Sequence, residues 1–133
     1  MERYEAWLDR ARSSFELSKI TANELIYYED LCFQAQQAAE KALKCLLIYF
    51  GEEPEFTHNL GILLESLTKY TEIPDNIKEL IKLNNFAVQT RYPGEYEEIT
   101  KAEYAECIKI ANDCINWIEE IIKLKAEMRK NNT

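Results

Sequence analysis

The sequence predicts an all-α protein, an up-and-down antiparallel helical bundle of about five helices, on three observations. Apolar residues recur at three- and four-residue spacing along most of the chain. The breaks between these periodic segments are short and carry glycine, proline or capping residues. An alanine stripe, Ala35, Ala38, Ala39 and Ala42, lies inside an uninterrupted run from Tyr27 to Phe50. Leu31, Leu43, Leu46, Leu47 and Phe50 extend that apolar surface. Small side chains flanked by leucines let another helix come close, so this run is the expected central helix. Short connections make successive helices antiparallel neighbours.

Residues Glu2 to Lys19 read as the first helix. Tyr4, Trp7, Leu8, Ala11, Phe15 and Ser18 share one face, while Asp9, Arg10, Arg12 and Ser13 take the wet side. A short connector, Ile20 to Glu24, leads to the central helix. There Gln37, Glu40, Lys41 and Lys44 form a second, polar face, and Glu40 and Lys44 stand in the favourable i, i+4 order, about 0.2–0.5 kcal/mol. Gly51 is the expected left-handed C-terminal cap, and Pro54 forbids continuation.

Thr57 is the expected N-cap of a third helix, His58 to Lys69, with Leu60, Leu63, Leu64 and Leu67 inward. Ile73-Pro74-Asp75 separates a fourth, Asp75 to Gln89, whose apolar side is Ile77, Leu80, Ile81, Asn84 and Val88 or Phe86. Residues 90–99 read as an irregular loop around Pro93 and Gly94. Thr100 and Glu103 then form a capping-box pattern that opens a fifth helix, Lys101 to Lys130. Its inward residues are Tyr104, Ile108, Ala111, Ile115, Ile118 and Ile122. The expected organisation is one helical domain, residues 1–130, with a frayed tail at 131–133.

Composition narrows the function classes. No apolar run is long enough to span a bilayer and the N-terminus lacks a signal-peptide core, so a cytoplasmic protein without a membrane role is expected. The net charge is −8, from 24 acidic and 16 basic groups, which argues against a protein that grips nucleic acid over a broad face. Only the end of the last helix is basic, through Lys123, Lys125, Arg129 and Lys130. Cys32, Cys45, Cys107 and Cys114 make no Cys-x-x-Cys pair, and one histidine accompanies them, so buried thiols are expected rather than a metal site or cofactor.

Residues with chemistry are few. Glu95, Glu97 and Glu98 read as a solvated acidic run. His58, in the first turn of the expected third helix, has two readings: a structural hydrogen bond, or contact with a ligand or phosphate. Arg91 stands beside Tyr92 and close to Tyr96, where a guanidinium fork with aromatic rings can hold a phosphate while a base stacks. Equally, Arg91 can pair with the carboxylates of its own loop.

Phe33-x-Ala-Gln-Gln-Ala-Ala-Glu-Lys-Ala-Leu-Lys44, Thr57-His-Asn-Leu60, Thr90-Arg-Tyr-Pro93, and Ala105 with Ala111 occur in an order and spacing that resemble the HEPN family (higher eukaryotes and prokaryotes nucleotide-binding domain) in its short bacterial and archaeal form. The resemblance covers essentially the whole chain. It implies a homodimeric helical bundle and a common partner, a minimal nucleotidyltransferase, in pairs that behave as toxin and antitoxin. Several HEPN branches are metal-independent ribonucleases whose arginine is followed a few residues later by histidine, with two such sites meeting across the dimer. Arg91 matches that arginine. Tyr96 stands where the pattern wants histidine, no histidine follows His58, and Tyr92 replaces a small polar residue. A phenol with pKa near ~10 is a poor base at neutral pH.

The expected function is therefore a dimeric partner of a minimal nucleotidyltransferase that binds a nucleotide or phosphate through Arg91, Tyr92, Lys41, Lys44, His58 and Tyr96, with no catalytic residue, metal or cofactor assigned. Eight tyrosines and two tryptophans in a small bundle also favour a self-complementary aromatic contact. The alternative is a toxin-type ribonuclease, with RNA as substrate, using Arg91 with Tyr96 or His58. A third reading makes these residues internal ties of the bundle.

Overall fold

Ala35, Ala38, Ala39 and Ala42 are fully buried, and the helix that carries them is the one on which the others pack. The computed structural model describes residues 3–86 and 98–131. These form α1 (Arg3–Ser18), α2 (Tyr28–Tyr49), α3 (Leu60–Leu67), α4 (Asp75–Lys78) continuing as a 3₁₀ helix (Glu79–Phe86), and α5 (Lys101–Asn131). Among the described residues there is no strand beyond a single bridge between Asn23 and Ile26 in the first connector.

α1 lies antiparallel to α2: Tyr4 meets Tyr49 at one end, and Lys41 reaches Ser14 further along. α5 is also antiparallel to α1, since the Tyr104 hydroxyl donates to the Ser18 carbonyl and Arg12 meets Glu119. α2 and α5 consequently share a direction, with Tyr28 stacked on Tyr104 at their N-terminal ends and Arg129 over Tyr49 at their C-terminal ends. The alanine face of α2 makes this close packing possible, because nothing larger than a methyl group keeps the neighbouring backbones apart. The Thr100 backbone N–H donates to Glu103, and the Glu103 N–H donates to the Thr100 hydroxyl, which closes the capping box that opens α5.

Two elements differ from the sequence expectation. α3 begins at Leu60 and is capped by Asn59 rather than Thr57. The Thr57 hydroxyl accepts from the Asn59 N–H in a local turn, while the Asn59 side chain accepts from the Gly61 N–H at 2.9 Å. The fourth helix is α-helical for one turn only. Beyond it Ile77, Leu80, Leu83 and Phe86 recur every third residue, the period at which a 3₁₀ helix aligns its side chains. That ridge packs inward and leaves Ile81, expected inside, more than half exposed. The expected continuation to Gln89 and the loop after it fall largely outside the described residues.

All four cysteines are buried and unbonded. Burial pushes the Cys45 thiol up to about 12, and Cys114 higher still, so neither is a ready thiolate near neutral pH. Among the described residues no helix is long and apolar enough to cross a membrane.

α2 ends in a Schellman motif. The Gly51 N–H donates to the Ile48 carbonyl and the Glu52 N–H to the Leu47 carbonyl, both at 2.9 Å, with Gly51 at φ +91°. Space is open where a Cβ would sit, so strain comes from the backbone alone. Gly51→Ala is expected to lower unfolding free energy by about 1–2 kcal/mol, read as a lower urea midpoint with unchanged m.

Candidate functional site

After the Schellman turn the chain runs back along α2, and this return sets the site. It carries His58 from the end of α2 to the middle of that helix. His58 Nδ1 lies 2.8 Å from Glu40 Oε1, and the other carboxylate oxygen of Glu40 accepts from Lys44 Nζ at 3.0 Å. Gln36 Nε2 donates to the His58 carbonyl at 3.1 Å and reaches Glu40 Oε1 at 3.4 Å. Gln37 in turn donates to Gln36 Oε1.

This network is internal. Gln36 is fully buried, and the Glu40 and Lys44 side chains keep only 5% and 9% of their surface. The sequence places Glu40 and Lys44 on a second, polar face of the helix, as an i, i+4 pair worth about 0.2–0.5 kcal/mol. The packing of α1 and the returning segment covers that face, and the Lys44 ammonium stands 5.7 Å from the Trp7 ring centroid and 6.0 Å from that of Phe56. A pair desolvated this far is held by its geometry and its additional hydrogen bonds, and either partner alone would be a buried charge.

His58 differs from its neighbours in the network because two-thirds of its side-chain surface is open. With Nδ1 on a carboxylate, the neutral ring keeps its proton there and presents Nε2 as a base. An imidazole oriented by a carboxylate can exchange a proton with a bound group or, when charged, donate to a phosphate. Asn84 fixes the same region from the other side. Its Oδ1 accepts from the Leu60 N–H at 2.8 Å and its Nδ2 donates to Asn59 Oδ1 at 3.2 Å, so the residue read as part of an apolar face is a polar clamp.

Lys41, one residue beyond Glu40 on α2, faces α1. Its ammonium donates to Ser14 Oγ at 2.8 Å, and it lines a cleft of about 440 Å³ with Ala6, Trp7 and Arg10. Burial first, and then the neighbouring Arg10 guanidinium, hold the Lys41 pKa below the usual lysine range. Arg10 has no carboxylate partner among the described residues. Two cations thus stand side by side against an indole in a strongly acidic chain.

Of the residues singled out from sequence, Lys44 and His58 meet through Glu40, and Lys41 lies apart from them on the α1 side. Arg91, Tyr92 and Tyr96 lie outside the described residues. Glu40, Gln36, Trp7, Arg10 and Ser14 were not picked as site residues. One signal was available: Trp7, Arg10 and Ser14 follow one another at i, i+3 and i+7, a single edge of α1 beside its apolar stripe.

The chain is similar over most of its length to known proteins. The HEPN domain family model matches residues 4–121. "Putative toxin MJ1304" of Methanocaldococcus jannaschii is 26% identical over 140 residues, covering 93% of this chain and 91% of that protein. The crystal structure of TT1696 from Thermus thermophilus superposes with a TM-score of 0.77 at 29% identity, over 90% of this chain and 98% of the other. That of ST0689, an archaeal HEPN homologue, gives a TM-score of 0.70 at 32% identity, over 92% and 99%.

The network makes a stability prediction. Glu40→Ala strands the Lys44 ammonium and is expected to cost about 3–5 kcal/mol in urea unfolding. Replacing Glu40 and Lys44 together by methionine should cost clearly less. Equal losses in the two variants would show that charge pairing is not what holds this face.

Proposed function

The chain belongs to the HEPN domain family, and from that premise we propose that it is a dimeric partner of a minimal nucleotidyltransferase that binds a nucleotide or phosphate group, in a toxin–antitoxin-like two-component system. One observation carries the binding part. Arg10 and Lys41 line one cleft with Trp7 and form no ion pair with a carboxylate among the described residues, and Glu40 acts on Lys41 only at longer range. A phosphate relieves the repulsion between the two cations, and the indole offers a stacking or cation–π surface beside them. Arg91, Tyr92 and Tyr96 belong to the same proposal as the aromatic and guanidinium contribution of the loop at 90–96. His58, with its ring exposed, is a further phosphate contact, while Lys44 supports it by holding Glu40 in place. Similarity to "Putative toxin MJ1304" of Methanocaldococcus jannaschii supports the two-component setting.

A second reading has its own observation. The buried Glu40 carboxylate orients the exposed His58 imidazole, which is the arrangement a general acid–base residue needs. Under this reading the protein is a metal-independent toxin-type ribonuclease in which Arg91 steadies the scissile phosphate and His58 replaces the histidine missing after Arg91.

Light scattering at tens of micromolar is expected to give the mass of a dimer, which increases when a candidate minimal nucleotidyltransferase is added. A monomer, or a dimer indifferent to that protein, contradicts the partnership. Titration of an adenine nucleotide into the Arg10→Ala/Lys41→Ala variant is expected to show at least about tenfold weaker binding than wild type at unchanged melting temperature. Indistinguishable isotherms remove the cleft from the function. If the ribonuclease reading holds, His58→Ala abolishes RNA cleavage by the purified dimer, and cleavage at the wild-type rate in that variant rules His58 out as the acid–base group.

A further inference from the structure

A second cationic cleft, separate from the one above, lies where the first turn of α1 meets the C-terminal ends of α2 and α5. It has a volume of about 380 Å³ and is lined by Arg3, Tyr4, Ile48, Tyr49 and Arg129. Tyr49 is two turns beyond Lys41 on α2, about 12 Å along the helix axis. None of its lining residues belongs to the Arg10–Lys41 cleft or to the Glu40 network.

Two features of this cleft lack an internal explanation. The Tyr49 hydroxyl is buried and has no hydrogen-bond partner among the described residues, although a buried phenol ordinarily finds one. The Arg129 guanidinium lies over the Tyr49 ring, 5.5 Å from its centroid, with no carboxylate against it among the described residues. A stacked guanidinium spends its face on the ring and keeps its edge N–H donors, which lie in the guanidinium plane, for oxygen atoms. The orphan hydroxyl and the stacked guanidinium thus belong to residues that line one cleft.

The surroundings agree with this chemistry. Among the described residues no aspartate or glutamate lines the cleft, and the Glu53 carboxylate is matched by a two-bond fork from Arg3 at 2.8 and 2.6 Å. The carbonyls of Leu47 and Ile48 at the end of α2 are taken up by the Schellman hydrogen bonds, which weakens the repulsion of an anion by that helix end. The N-terminal pole of α1 is at the same place and favours one.

We propose that this cleft is a binding site for a phosphate-bearing ligand, with Arg129 as its cation and the Tyr49 hydroxyl as the neutral donor that completes its shell. A terminal phosphate monoester and a bridging phosphodiester present the same oxygens to these groups. The proposal does not depend on the Arg10–Lys41 cleft and stands if that cleft proves empty.

The test is calorimetric titration of the full-length protein at low ionic strength, in the Arg10→Ala/Lys41→Ala background so that the first cleft adds no signal. Inorganic phosphate is the first probe. Adenosine 5′-monophosphate and a dinucleoside monophosphate follow, to tell terminal from bridging phosphate. Arg129→Ala is expected to weaken phosphate binding at least about tenfold and Arg129→Lys by less. Tyr49→Phe is expected to weaken it about fivefold or more while melting at or above the parent temperature, because it deletes a hydroxyl that has no partner. Three results overturn the proposal: no phosphate binding up to about 10 mM, affinity unchanged in both Arg129→Ala and Tyr49→Phe, or a lowered melting temperature in Tyr49→Phe, which would mean that the hydroxyl is already satisfied.

Discussion

Because α2 is packed by α1, α3, the 3₁₀ helix and α5, most of its polar side chains have to find partners inside the protein. The apolar consequence is the alanine stripe, which keeps neighbouring helices close. The polar consequence is the chain from Gln37 through Gln36, Glu40 and Lys44 to His58. A helix of this kind cannot leave one member of such a chain unmatched, since an isolated charge at that depth would neutralise or unfold the region. The return of residues 51–57 along α2 is therefore tied to the network. It supplies both the His58 ring that meets Glu40 and the His58 carbonyl that receives Gln36.

The same constraint separates structural from available chemistry. Lys44 is tied to Glu40 and enclosed by Trp7 and Phe56, so its charge serves the fold. His58 is held by the same carboxylate but open on its other side, so its orientation is fixed while its reactivity remains accessible. Lys41, one residue from Glu40, is turned by the helical repeat toward α1, where it donates to Ser14 and stands beside Arg10. Lys44 and Lys41 on α2 and His58 on the returning segment thus stand in three environments, and burial rather than residue type decides what each can do. The cationic positions on α1 and α5 stand out because the chain as a whole is acidic.

The HEPN resemblance read from the motif residues agrees with the family match and with the solved relatives. Most of the helical pattern was also legible, since periodicity and capping chemistry are local. The alanine stripe, the Thr100–Glu103 box and the Gly51 cap each depend on residues within one or two turns. The two misjudged elements failed where two local signals competed. Thr57 and Asn59 are both capping residues, and only their hydrogen bonds decide between them. Ile77, Leu80, Leu83 and Phe86 fit a three-residue period, while Ile81 and Asn84 completed a plausible α-helical face.

By itself the sequence determined the all-α class, the order of the helices, the central place of α2 and the family, because each rests on local spacing or on motif residues. The tertiary structure alone decided which polar residues are internal. Glu40 and Lys44 read as an i, i+4 pair on a polar face, and nothing within a few residues shows that α1 and the returning segment cover them. The same holds for the Arg10–Lys41 cleft and for the unpartnered Tyr49 hydroxyl beneath Arg129, whose members are far apart in the chain. Burial and charge proximity are properties of the packed surface around a residue, and helical periodicity records only which side of its own helix that residue occupies.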